Sequence, residues 1–134
     1  MNCPYRPNAW DAHSYLVLLA AKLIESDPLV RQVETEVSIG DASSTVDLIA
    51  TLTDLNRVAY EVTHQTVTNV SANAAKLEGK GFARIYFLCL DFNVKQRVSA
   101  QLRNAGFASE FLATIECTIF ADILRVHQKR RRHP

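Results

Sequence analysis

The sequence predicts an α/β fold with a mixed central sheet and helices on both faces. Two patterns carry that prediction. Helix-period and strand-period segments follow one another in the order α-β-β-β-α-β-α-β-α. Ile85, Tyr86, Phe87, Leu88, Cys89 and Leu90 form an unbroken apolar run, which suits a strand buried on both faces in the middle of a helix-covered sheet. A chain of 134 residues, 48% hydrophobic and 22% charged, has the size and composition of one globular domain, residues 1–134.

The first helix is expected over residues 9–26. Leu16, Leu19, Ala20, Leu23 and Ile24 recur at helical spacing. Asn8 can cap it, and Asp27-Pro28 ends it, because the residue before proline avoids the helical region. A half-exposed strand follows, in which Val33, Thr35, Val37 and Ile39 alternate with Gln32, Glu34, Glu36 and Ser38. After a polar connection at residues 40–44, residues 45–53 and 57–65 read as two strands joined by the turn-forming Asp54-Leu55-Asn56.

Residues 66–78 form a second helix, stopped by Gly79 or Gly81. The buried strand lies within 82–92. A third helix spans 93–104, capped by Asn93 and ended by Gly106. Residues 110–118 supply a fifth strand, and a last helix from Ile119 runs into a basic tail. There is no repeat, low-complexity stretch or linker.

No apolar run approaches the roughly 20 residues of a bilayer span, and the start has no signal-peptide core. A cytoplasmic protein is expected. Cys3, Cys89 and Cys117 are odd in number and lack CxxC spacing, which argues against a disulfide framework or a zinc site. Cys89 and Cys117 read as packing residues. The net charge of +1 is uneven: setting aside Arg125, Lys129, Arg130, Arg131 and Arg132 leaves 10 basic against 14 acidic residues, about −4. Such a tail can clamp phosphates, and it also suits a helix C-terminus.

Asp47 and Glu61 each interrupt a strand of apolar and β-branched residues. A carboxylate there is costly unless it is paired or binds a cation, and Mg²⁺ is commonly held by one or two carboxylates plus waters and phosphate oxygens. With a three-residue loop at 54–56, Thr53 pairs with Arg57 and Asp47 faces Thr63, diagonal to Glu61 on the same side of the sheet. A two-residue loop would put Glu61 on the other face. The alternative reading is of acids bonded to Arg57 or Lys76.

A helix, a strand, Asp in the second strand, Glu in the third, then a helix and a buried strand resemble the restriction-endonuclease-like superfamily, whose motif is written PD…(D/E)xK. The resemblance runs from Ala9 to about Phe107 and rests on element order more than on single residues. It implies an αβββαβ core in which Asp47 and Glu61 hold Mg²⁺ and DNA is the partner. Homodimers, or a larger DNA-processing assembly, are expected. Thr63 stands where the motif has its lysine, and Val46 where the proline often is.

Threonine brings no positive charge to a phosphate or an attacking hydroxide, so the resemblance implies DNA interaction with impaired or lost cleavage. In some members a functional group moves to the next helix. Here that is Lys76, with Asn69 and Asn73 on the same face as contacts to phosphate or metal-bound water; Lys76 also reads as an ordinary exposed lysine. That arrangement would make an active Mg²⁺-dependent endonuclease. A third expectation is an interaction module within a longer DNA-processing protein, which the proline-containing start and basic end would suit. The expected site is therefore Asp47, Glu61, Thr63 and Lys76, with DNA contacts at Asn69, Asn73, Lys129, Arg130, Arg131 and Arg132. No two histidines have ligand spacing, so His13, His64, His127 and His133 suggest no zinc site. Trp10, Tyr5 and Tyr15 read as packing residues.

Overall fold

The computed structural model describes residues 9–40, 44–64 and 69–132, with the backbone alone for residues 9–11 and 130–132. Expectations at Asn8, Cys3, Tyr5, His133, the Trp10 side chain, residues 41–43 and the start of the second helix at Thr66 lie outside the described residues.

Among the described residues, five strands form one mixed sheet in the order β1-β2-β3-β4-β5. They are β1 (Val30–Ser38), β2 (Thr45–Leu52), β3 (Arg57–Thr63), β4 (Arg84–Cys89) and β5 (Ile115–Ile119). The pairs β1–β2 and β2–β3 are antiparallel, whereas β3–β4 and β4–β5 are parallel. The helices are α1 (Ala9–Glu25), α2 (Val70–Ala75), α3 (Phe92–Asn104), the short α4 (Ser109–Leu112) and α5 (Ile123–Arg132). The αβββαβ order expected from the sequence is present. Among the described residues no helix is long and apolar enough to cross a membrane.

The sheet separates two cores. Val17, Ala20, Ala21 and Ile24 of α1 and Ile123 of α5 pack on Leu48, Ala50, Val58, Tyr60, Val62, Tyr86 and Leu88. On the opposite face, Val70, Ala74 and Leu77 around α2 and Val94, Val98 and Leu102 of α3 pack on Val46, Ile49, Ala59, Ile85, Phe87 and Cys89. β4 alternates between the two cores and is buried from Ile85 to Cys89, as its apolar run predicts, but Leu90, the last residue of that run, lies beyond the strand and is 45% exposed. Burial pushes the Cys89 thiol up to about 12, which suits an inert packing residue.

Several boundaries differ from expectation for local reasons. The buried stripe of α1 runs through Val17 and Ala21, leaving Leu19 38% exposed. Within α2, regular helix covers only Val70–Ala75; hydrogen-bonded turns follow, up to Gly79 at φ 75. Asp91, not Asn93, caps α3: its Oδ1 accepts the Val94 N–H at 2.9 Å. The expected fifth strand begins late, because Ser109–Leu112 forms α4. A 3₁₀ turn, Phe120–Asp122, precedes α5, so the last helix starts at Ile123.

The β2–β3 hairpin is shifted by two residues from the expected register. Leu52 N–H donates to Asn56 O at 2.8 Å, closing a loop over residues 53–55. Asp54 holds that loop by accepting from the Asn56 backbone and side-chain N–H groups. Thr51 therefore pairs with Arg57 and Leu48 with Tyr60. An even shift preserves side-chain parity as far as Leu48 and Tyr60, where the ladder ends; beyond them Asp47 meets Glu61 through its backbone N–H.

β1 also departs from simple alternation. Val33 packs in the α1 core, whereas Val37 and Ile39 pack in the α2–α3 core. Two positions of the same parity face opposite ways because Glu36, between them, adopts the left-handed conformation at φ 51. β2 flips at the same level: Val46 joins the α2–α3 core and Leu48 the α1 core, with Asp47 between.

Candidate active site

The last paired residues of the β2–β3 ladder toward this end of the sheet are Leu48 and Tyr60. Beyond them two carboxylates take over the backbone hydrogen bonds. Asp47 N–H donates to Glu61 Oε2 at 3.0 Å, and Val62 N–H donates to Asp47 Oδ2 at 2.8 Å. Each acid thus satisfies a backbone donor on the neighbouring strand, which fixes both side chains without a rotamer search.

Around this pair the two helical layers contribute different groups. From α1, His13 Nε2 lies 3.1 Å from Asp47 Oδ1, with 32% and 15% of the side chains exposed. From the turn after α2, Lys76 Nζ donates to Glu61 Oε1 at 3.0 Å and to Asn73 Oδ1 at 3.2 Å. Glu61 is only 3% exposed and Lys76 21%. Lys76 is therefore not an ordinary solvated lysine. It offsets a carboxylate that would otherwise be buried without a cation.

The electrostatics follow from this crowding. Burial, then the Asp47 charge, raises the Glu61 pKa, while Lys76 and the Asp47 N–H oppose the rise. The His13 pKa is raised by its hydrogen bond to Asp47, against partial burial, with help from the charges of Asp47, Glu36 and Glu61. Glu36 is exposed as a whole, yet its carboxyl is also raised, first by desolvation and then by Asp47. Three acids near one histidine and one lysine leave a net negative cluster, an environment that favours a cation.

His13, Glu36 and Asp47 each offer a donor atom, and those atoms lie within 4.8 Å of one another. One imidazole and two carboxylates, open to solvent through Glu36 and His13, form a donor set that fits a divalent ion with positions left for water or phosphate. Glu61 is not in that group. It sits beside it, tied to Asp47 N–H and Lys76.

The other expected residues fall as follows. Thr63 is buried on β3, paired with Cys89 of β4. Asn73 meets Lys76, whereas Asn69 is exposed at the start of α2 and makes no side-chain cap. α5 continues through the tail as far as Arg132. Lys129 is exposed, the side chains of Arg130, Arg131 and Arg132 lie outside the described residues, and Arg125 pairs with Asp122 at 2.8 Å. His64 lies near His13, with ring centroids 5.8 Å apart, and its pKa is lowered by burial and by His13. Sequence spacing hid His13 and Glu36: one acts across 34 positions, the other through a backbone flip that alternation cannot reveal.

No family model matches this chain, and no curated protein does. Among solved structures it is similar to the crystal structure of a repair endonuclease from Pyrococcus abyssi. Sequence identity is 16% and the TM-score 0.46, over 88% of this chain and 49% of that one. This chain thus spans about half the length of that structure.

Proposed function

We propose that this chain is a divalent-cation-dependent phosphodiesterase domain that cuts DNA, with Lys76 supplying the charge missing at Thr63. The observation that carries this reading is the Lys76 Nζ–Glu61 Oε1 contact of 3.0 Å beside Asp47. A cation delivered from the following helix can offset charge developing on a phosphate.

Asp47, Glu36 and His13 would hold the ion, which would polarise a phosphoryl oxygen and acidify a bound water. An imidazole donor extends the usable ions from Mg²⁺ toward Mn²⁺. Glu61, held by the Asp47 N–H and by Lys76, would stand beside the ion and help orient the attacking water. Lys76 keeps Glu61 in place, and Asn73 in turn holds Lys76. Asn69 and the tail Lys129, Arg130, Arg131 and Arg132 would contact the DNA backbone.

The test is hydrolysis of plasmid and branched DNA with Mg²⁺ or Mn²⁺, alongside Mn²⁺ binding measured directly. The native chain should cleave, Asp47→Asn should lose both cleavage and Mn²⁺ binding, and Lys76→Met should lose about 10²–10³ in rate while keeping the ion. A native chain that neither binds Mn²⁺ nor cleaves would overturn the proposal.

A second reading, DNA interaction with impaired cleavage, is favoured by the neutral Thr63 at the motif position. It requires a native chain that binds Mn²⁺ but is nearly inert, and a Thr63→Lys variant that gains activity.

A further inference from the structure

Helix α3 begins three residues beyond Cys89, the register partner of Thr63, at the same end of the sheet as Glu61. Its sequence, FNVKQRVSAQLRN, contains Lys95, Arg97 and Arg103 and no acid, although the body of the chain without its tail is acidic. Val94, Val98 and Leu102 anchor one side of the helix in the core.

Along another side, Phe92, Lys95, Gln96, Ser99 and Arg103 line a groove of about 380 Å³. The spacing i, i+3/i+4, i+7, i+11 is one helical face, and it extends about 16 Å. Ser99 and Arg103 also line a second hollow of about 320 Å³ that runs toward Ile115 and Glu116 of β5.

Phe92 is 60% exposed and fills no core. Lys95 Nζ lies 6.0 Å from its ring centroid, within reach of a cation–π contact. The acids nearby already have partners: Asp91 accepts the Val94 N–H, and Glu116 pairs with Arg84 at 3.4 Å. The face therefore offers an exposed aromatic ring at the site end and cations along its length.

We infer that this face of α3 is a track for single-stranded nucleic acid, with Phe92 stacking on an unpaired base next to the candidate active site and Lys95 and Arg103 meeting the phosphates. An aromatic platform combined with cations recognises the two chemical features shared by all unpaired strands, the base face and the phosphate. A duplex keeps its bases stacked and offers Phe92 nothing. The inference deepens the proposed function by naming its substrate class, and it rests on that reading only for the cutting step.

The experiment is fluorescence anisotropy with labelled oligothymidylate, the matching duplex and polyglutamate, all in EDTA so that no cleavage intervenes. The native chain should bind the single strand more tightly than the duplex or the peptide. Phe92→Ala should weaken binding at least about fivefold, and Phe92→Tyr should restore it. Lys95→Gln with Arg103→Gln should reduce the slope of log affinity against log salt by about 1.4.

Oligonucleotide binding that depends on Phe92 without any metal-dependent cleavage would sustain this surface while removing the proposed activity. Equal affinity for duplex or polyglutamate, or indifference to both the Phe92 and the Lys95/Arg103 changes, would overturn it.

Discussion

Helix α1 holds a histidine–aspartate pair at each end, and the two pairs are built for different work. At its start His13 meets Asp47 at 3.1 Å, with 32% and 15% of the side chains exposed. Just beyond its end Asp27 meets His127 of α5 at 2.9 Å, with 4% and 8% exposed. The second pair is a closed network: His127 Nε2 also meets the Tyr60 hydroxyl at 2.9 Å, and Asp27 Oδ1 accepts the Leu29 N–H. Tyr60 and Tyr86 stack beside it at 5.2 Å, and burial raises both phenol pKa values. The same two side-chain types thus serve as a buried strut at one end, where with Tyr60 and Tyr86 they line a cavity of about 250 Å³, and as part of a more exposed cluster with Glu36 at the other. What differs is the exposure of the two side chains.

Four measurements can break or sharpen that contrast. The largest effect is expected at the buried pair: His127→Ala should cost about 3 kcal/mol in urea unfolding, since it removes the imidazole that bridges buried Asp27 and Tyr60. His13→Ala should cost under about 1 kcal/mol. Equal losses would abolish the distinction. Next, Mn²⁺ at a hundredfold excess over its Kd should stabilise the native chain by about 2.7 kcal/mol. That gain should persist in Phe92→Ala and vanish in Asp47→Asn.

A third measurement concerns Lys76. Lys76→Met alone strands Glu61, so a double-mutant cycle with Glu61→Gln should give a coupling energy of at least about 1 kcal/mol. Additive losses would mean that the ammonium does not compensate the buried acid. The smallest stability effect is expected for deletion of residues 129–134, within about 0.5 kcal/mol, because it leaves His127 in place. The same deletion should flatten the salt dependence of DNA affinity by about 0.9 for each phosphate that the tail engages.

Much of the fold is legible in the sequence where burial is continuous or strictly periodic. The β4 run marks a doubly covered strand because every position from Ile85 to Cys89 is buried. Asp47 and Glu61 stand out because acids are costly among β-branched and aromatic neighbours. The hairpin register itself is not legible, because it depends on which hydrogen bond closes the Asp54 turn; two-residue and three-residue loops give opposite parities, and the sequence does not choose between them. His13 and Glu36 lie beyond local pattern: one arises from tertiary packing across 34 positions, the other from a left-handed residue in a strand whose alternation looks regular. The Lys76–Glu61 contact is the pairing that the sequence offers as its alternative reading of the acids. His127 reads as part of a basic tail, yet its ring is among the most buried polar groups described.

The Asp27–His127 hydrogen bond joins residues 100 positions apart. Closing so long a loop carries a substantial entropic cost that nearby contacts must offset first. The sheet strands and α1 can assemble through shorter-range contacts, but Tyr60 and Asp27 lack the imidazole that bridges them until α5 docks. The docking of α5 completes that bridge, and a chain still lacking that helix would carry an uncovered tyrosine stack beside a carboxylate on one face of its sheet. During synthesis that face is where misassembly would begin.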